Sequence, residues 1–250
     1  MKQLTGKGSS GFTLIEMITV IIILGVLAAA VSSYIKFATQ IYIEATTREQ
    51  LISSTRFAIE RLNRDVRNAL PNSLRLTNAN LCLEMSPILA STTYIDIPVA
   101  PEDTSNTIDV IEFDDTFIWA LNSNWSVVVY PLNFDDVYGS NNKVFDVSSI
   151  SSPGDIRVVT LDSSVQFSED SPTQRIYFIN ANDTVSYCLV GEILTRNNVP
   201  IAQDIHNVNL PFEITPATLQ RNAMVQINLL LEKNNEQVSF NNEIQVLNVP

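Results

Sequence analysis

A long apolar stretch near the start of the chain carries a single carboxylate. Between Phe12 and Val31 there are 20 residues, of which 16 are apolar, and Glu16 is the only charged one. A helix rises about 1.5 Å per residue, so this stretch would span roughly 30 Å, the thickness of a bilayer's hydrocarbon core. The stretch therefore predicts one membrane-spanning helix. A helix that served only as an anchor would gain nothing from the acid.

The charges before this stretch indicate its orientation. Lys2 and Lys7 are basic, and no acid precedes Glu16. Because positive charge favours the cytoplasmic side, we expect the N-terminus inside and the residues after the stretch outside. A secretory signal cut after the alanines at 28–30 is the alternative. It is less favoured, because secretory signals have an apolar core of only about 7–15 residues.

Glu16 has two interpretations. It can be an acid at the membrane edge that stays near the headgroups, where its cost is small. Alternatively, it awaits a cation: cleavage after Gly11 would give Phe12 a charged amino group. That amine and Glu16 of a neighbouring copy would neutralise each other in a low-dielectric helix bundle.

Residues 7–16, Lys-Gly-Ser-Ser-Gly-Phe-Thr-Leu-Ile-Glu, resemble the class III signal of type IV pilins and type II secretion pseudopilins. The resemblance implies that prepilin peptidase cuts between Gly11 and Phe12 and N-methylates Phe12. It also implies that Glu16 serves subunit assembly. The expected location is the bacterial inner membrane and then a pilus, with other major and minor pilins as partners through the N-terminal helix.

Other segments are similar to minor pilins of the mannose-sensitive haemagglutinin (MSHA) pilus system. They are residues 22–27, 31–35, 50–71, 187–189 and 248–250. Most of this similarity lies in the first 71 residues. In contrast to many major pilins, the membrane segment contains no proline, since the first one in the chain is Pro71.

Helical periodicity continues beyond the membrane stretch. Apolar residues such as Leu51, Leu62 and Val66 recur at spacings that put them on one helix face. Pro71 forbids continuation. We therefore expect one helix over residues 12–70, of roughly 85–90 Å. The predicted organisation is a leader at 1–11, a transmembrane and assembly helix at 12–34, an amphipathic helix at 35–70 and a head at 71–250.

The head reads as β-rich. Short stretches rich in Val, Ile, Tyr, Phe and Thr alternate with turn residues, and the last two strands show one apolar face each. The expected strands are 92–97, 107–113, 116–121, 126–130, 156–161, 175–180, 184–190, 224–232 and 237–248, with 148–154 as a surface loop. The predicted fold class is α+β, a long helix packed on an antiparallel β-rich head, and no second domain is required.

Charge is segregated along the chain. After Arg75 lie 22 of the 27 acidic residues but only 6 of the 15 basic ones. Such an acidic head is a poor partner for nucleic acid, whose phosphates favour basic surfaces. Its expected roles are solubility outside the membrane or complementarity to basic neighbours.

Calcium is the one cofactor that the acidic loops suggest. Asp114 and Asp115 form one acidic pair, and Asp135 and Asp136 form another near Asp146. Calcium takes six to eight oxygen ligands, but the spacing here matches no EF-hand loop. We therefore expect solvated loops and no bound metal, with calcium as the lesser alternative.

Two cysteines and one histidine complete the candidate site residues. Cys82 and Cys188 would both lie on the oxidising side of the membrane, where disulfides persist, so we expect them to be joined. The alternative is two buried thiols. His206 is the only histidine, and no nucleophile motif or phosphate-binding loop occurs, so we expect no catalytic residues and no enzyme activity.

Three functions are compatible with the sequence. The resemblance favours a minor pilin of an MSHA-type pilus, with a part in pilus initiation or tip assembly. A minor pseudopilin of a type II secretion system shares the same helix. A membrane-tethered periplasmic binding protein or enzyme, whose head acts alone, is the alternative of another class.

Overall fold

The computed structural model describes residues 11–111, 124–140, 143–151, 156–206, 209–216, 222–234 and 236–246. The chain forms two compact units, Met1–Glu49 and Gln50–Pro250. Helix α1 (Leu14–Arg67) contributes residues to both units. The leader residues 1–10 lie outside the described part of the chain.

The predicted long helix is confirmed, with slightly tighter bounds than 12–70. It ends where the Asn68 amide donates to the carbonyls of both Arg64 and Asp65, shortly before Pro71. Arg64 and Arg67 occupy its last turn, where basic side chains stabilise the negative end of a helix.

Fourteen strands and one short helix follow α1 among the described residues. They are β1 (Arg75–Thr77), β2 (Cys82–Met85), β3 (Ala90–Asp96), β4 (Ser105–Ile111), β5 (Trp125–Val129), α2 (Asp135–Tyr138), β6 (Val144–Ser151), β7 (Ile156–Val165), β8 (Arg175–Asn180), β9 (Val185–Val190), β10 (Ile193–Arg196), β11 (Val199–Ala202), β12 (Phe212–Thr215), β13 (Met224–Lys233) and β14 (Glu236–Gln245).

Two antiparallel sheets form one core with the second half of α1. The first sheet has the order β1-β2-β9-β10-β11 and the second has the order β12-β13-β14. Ala58, Leu62 and Val66 of α1 are completely buried against residues of both sheets, such as Tyr187 and Ile227. The apolar helix face predicted from the 3-and-4 spacing is therefore the face that packs on the head.

A closed barrel is inserted between β2 and β9. Its six strands follow the order β3-β4-β7-β6-β5-β8, and every pair is antiparallel. Its interior is a second core, in which Val110, Val159 and Phe178 are completely buried. Closure removes the free sheet edges that would otherwise invite pairing with other chains.

A small third cluster lies between the helix end and the barrel. Leu70 packs with Val128, Tyr177 and Ile179 of the barrel and with Val137 of α2. The backbone reinforces this contact, because the Leu70 amide donates to Ser86 O and the Ile88 amide donates to Asn68 O.

The α+β class and the antiparallel β-rich head are confirmed. Eight of the nine predicted strands correspond to observed ones, and residues 175–180 match β8 at both ends. The ninth, at 116–121, lies outside the described residues. The prediction of a loop over 148–154 is wrong for its first part, because Val144–Ser151 is strand β6 and pairs with β7 and β5.

Candidate assembly helix and its attachment to the head

The first half of α1 is apolar, and no other described part of the chain covers it. Every side chain from Phe12 to Ile43 is exposed, including Phe12, Leu14 and Ile21. The helix is long and apolar enough to cross a membrane. Since contiguous apolar surface of this size is unfavourable in water, lipid or other helices must cover it.

Glu16 lies in the first turn of this helix. Its amide donates to Thr13 O at 3.1 Å, and its own carbonyl accepts the Thr19 hydroxyl at 3.0 Å. An acid in the first turn is stabilised by the positive end of the helix dipole, and this effect is modest. Its side chain is exposed among apolar neighbours, so a cation from outside the chain can reach it.

Asp65 fastens the second half of α1 to the first sheet. Asp65 Oδ2 accepts a hydrogen bond from Tyr187 Oη at 2.7 Å, and it lies 2.6 Å from Arg196 Nε. Asp65 Oδ1 lies 3.4 Å from Nε of Arg61, which precedes it by four residues on the same helix. One carboxylate thus joins α1 to β9 and β10, strands that follow more than 100 residues later in the chain.

Two members of this cluster, Tyr187 and Arg196, have raised pKa values. Burial, together with donation to Asp65, raises the pKa of Tyr187 above its usual value. Burial alone would lower the pKa of Arg196, but the hydrogen bond and charge of Asp65 raise it. Both shifts keep the cluster in one protonation state: a neutral tyrosine and a charged arginine sharing one carboxylate.

Cys82 and Cys188 form a disulfide in the structure. They lie directly opposite each other in the β2–β9 pair, and their Cα atoms are 4.1 Å apart. The neighbouring pair is hydrogen-bonded, since the Leu189 amide donates to Leu81 O, so the cysteines occupy a closely spaced position of the ladder. The bond links the strand before the barrel to the strand after it.

Two of the acidic residues considered for calcium, Asp136 and Asp146, have other partners. Asp136 Oδ2 lies 3.3 Å from Lys143 Nζ and accepts the Leu132 amide, while Asp146 accepts the Ser126 hydroxyl. Asp114 and Asp115 lie outside the described residues. Across the described part of the chain, no cluster of three or more His, Cys, Asp or Glu side chains is arranged to hold a metal ion.

His206 lies beside a surface acid. Its Nε2 is 3.1 Å from Glu192 Oε1, and both side chains are at least half exposed. This is the geometry of a surface pair, and the contact joins the segment after β11 to the β9–β10 turn.

The sequence did not predict a partly buried cluster at the β1 end of the first sheet. Arg75 and Glu84 face each other across β1 and β2, with Nη2 and Oε2 2.8 Å apart. The Arg75 guanidinium also lies 3.9 Å from the ring centroid of Tyr138 in α2. Burial raises the pKa of Tyr138 to about 12, against the opposing charge of Arg75. The sequence pattern that could have predicted this pair is weak, because β1 has only three residues.

An exposed apolar helix with one acid in its first turn, followed by a β-rich head, is consistent with a membrane-anchored protein. Residues 6–32 match the model of the prokaryotic N-terminal methylation motif. Comparison with curated proteins and with solved structures found no match. The motif supports a type IV pilin-like protein, with processing by prepilin peptidase, inner-membrane anchoring and association with pilins.

Proposed function

We propose that this chain is a minor pilin of an MSHA-type type IV pilus, of the MshO type, and that it takes part in pilus initiation or tip assembly. Prepilin peptidase would cut between Gly11 and Phe12 and methylate the new N-terminus. The head would then face the periplasm until the subunit leaves the membrane for the pilus. Lys2 and Lys7 support this orientation.

Glu16 is the observation that carries the proposal. It is the only charge in an apolar run of 20 residues, and it follows the cleavage position by five residues. A charge in this position is costly in lipid unless it is paired. The amine created at Phe12 supplies the opposite charge, and a neighbouring subunit would bring the two together as the helices bundle.

The head supports a position at the end of a polymer. Strands β3 to β8 form a barrel inserted into the sheet that packs on α1. Such an insertion enlarges the head, and a subunit at the tip has fewer neighbours to clash with than one in the shaft. The disulfide supports a periplasmic head, because disulfides persist there.

We also propose that the subunit is not an enzyme. The described residues hold structural pairs, such as Asp65 with Arg196, rather than a nucleophile with its base. The role of the head would be to contact other subunits.

Deletion and complementation in the bacterium test the proposal. We expect the deletion strain to lose MSHA-type pili in electron micrographs, and the intact gene to restore them. Glu16→Val should fail to restore them, whereas Glu44→Val, which removes an acid further along the same helix, should succeed. Normal piliation by the Glu16 variant would contradict the assembly role. Normal piliation with loss of secreted proteins in the deletion strain would assign the chain to a secretion machine.

A further inference from the structure

Among the described residues, strand β14 forms a long open edge of the second sheet. In the described part of the chain, β14 pairs only with β13, over ten residues and without a register shift. The other sheet ends are blunted: β1, β11 and β12 have three or four residues each, and β11 contains Pro200 beside a register shift in its pairing. By contrast, β14 holds no proline, lysine or bulge, the devices with which proteins usually protect an edge.

The register shows which backbone groups of β14 point outward. The Val246 amide donates to Ala223 O at 2.9 Å, so even-numbered residues face β13. Because the two edges of a strand alternate, the odd-numbered residues direct their amides and carbonyls away from the sheet. They are Gln237, Ser239, Asn241, Glu243 and Gln245.

A basic groove on α1 lies next to this edge. It is lined by Glu60, Asn63, Arg64, Arg67 and Asn68. The Asn242 side-chain amide of β14 donates to Asn63 Oδ1 at 2.9 Å, which brings the groove against the strand.

The groove is basic, whereas the head is acidic. Arg64 and Arg67 are exposed, and among the described residues no carboxylate is shown within 4 Å of either guanidinium. On the same side of β14, Val238 and Phe240 are only half buried against the core. An added strand would therefore find backbone partners, apolar surface and two unpaired positive charges together.

We propose that β14 accepts an extended, acidic segment of another protein subunit as an additional strand. The incoming carboxylates occupy alternate positions on the helix side, where they meet Arg64 and Arg67. The other face of the incoming segment carries no carboxylates, because Glu243 of β14 lies on that outer face of the sheet and would repel them. This inference goes beyond the proposed pilus role and holds even if α1 only tethers the head.

A second copy of this chain is a poorer occupant. None of its described open edges carries acids at alternate positions: β1 and β11 have none, β12 has only Glu213, and the acids of β14 are Glu236 and Glu243.

A designed peptide tests the inference on the full-length protein in neutral detergent. The probe is a labelled ten-residue peptide in which glutamate alternates with threonine and valine, and its control carries lysine in place of glutamate. We expect the glutamate peptide to bind in fluorescence anisotropy, and the lysine peptide to bind at least about tenfold more weakly. Hydrogen–deuterium exchange should show new protection in residues 236–245.

Variants separate strand addition from plain charge attraction. Ser239→Pro removes an outward amide without touching the β13 ladder, and it should abolish binding, whereas Ser239→Ala should not. Asn241→Pro is the second such variant if Ser239→Pro lowers the melting temperature. Arg64→Glu with Arg67→Glu should weaken binding about tenfold or more, and Arg56→Glu, outside the groove, should change it less than about twofold.

Four results would overturn the inference. They are no binding at millimolar peptide, unchanged binding to a folded proline variant, protection confined to other segments, and unlabelled full-length chain competing as well as the peptide. The last result would assign the edge to a second copy. None of these measurements depends on processing or piliation, so their failure is distinguishable from failure of the pilus proposal.

Discussion

Asp65 of the long helix and Arg196 of β10 lie 2.6 Å apart, carboxylate oxygen to guanidinium nitrogen, although 131 residues separate them in the chain. Tyr187 donates to the same oxygen. The second half of α1 is thereby joined to the head by a largely buried charge pair as well as by apolar packing.

Loss of the Asp65 charge should destabilise the head. Asp65→Asn leaves Arg196 partly buried without its counter-ion, and we expect the free energy of unfolding to fall by about 1–3 kcal/mol. Urea unfolding of the full-length chain in detergent measures this. Glu60→Gln is the matched control, since Glu60 and Arg56 are both at least 70 % exposed, and it should change stability by less than about 0.5 kcal/mol. Equal effects of the two substitutions would contradict a special role for Asp65.

Stability should fall in alkaline solution through Tyr187. Its pKa is raised in the folded protein, chiefly by burial. The unfolded chain therefore releases this proton first, and the contribution of Tyr187 is complete below about pH 10 and declines above it. Tyr187→Phe should make the slope of unfolding free energy against pH shallower above pH 10. An unchanged slope would show that Tyr187 titrates alike in both states.

Reduction of the disulfide should cost much of the head's stability. Cys82 and Cys188 are 106 residues apart, and closing a loop of that length is worth about 4–5 kcal/mol in the chain-entropy model. We expect a reductant to lower the urea midpoint of the native protein. The double variant Cys82→Ala with Cys188→Ala should show the same lower midpoint with or without reductant. A native midpoint insensitive to full reduction would contradict this prediction.

Truncation of the buried helix face should be far more harmful than truncation of the exposed one. Leu62 is completely buried between α1 and the sheets, and Leu62→Ala should cost about 2–5 kcal/mol. Phe57 is 68 % exposed on the same helix, and Phe57→Ala should cost less than about 0.5 kcal/mol in the same assay. The reverse order would mean that the helix packs through its other face.

Features with a local cause were predictable from the sequence. Helix α1 follows from a repeat of three and four residues and from Pro71. Strands β13 and β14 follow from alternation over ten residues each. In each case neighbouring residues supply the signal.

Features set by distant partners were not predictable. Three- and four-residue strands such as β1 and β10 carry too little pattern, and they exist because a neighbouring strand supplies their hydrogen bonds. Closure of the barrel depends on the pairing of β3 with β8, far apart in the chain. The main partner of Asp65 was missed for the same reason. At the N-terminal helix, Gly11, Phe12 and Glu16 belong to one contiguous motif, and their roles in cleavage and assembly stay predictions.

The N-terminal mass of protein recovered from sheared pili tests the central claim most directly. The account predicts a mature chain that begins at N-methylated Phe12, with residues 1–11 removed. Substitution of Gly11 by valine should leave the leader in place and remove the subunit from the pilus fraction. Pilus-associated protein that retains residues 1–11, or a mature chain that begins after Ala30, would contradict the account.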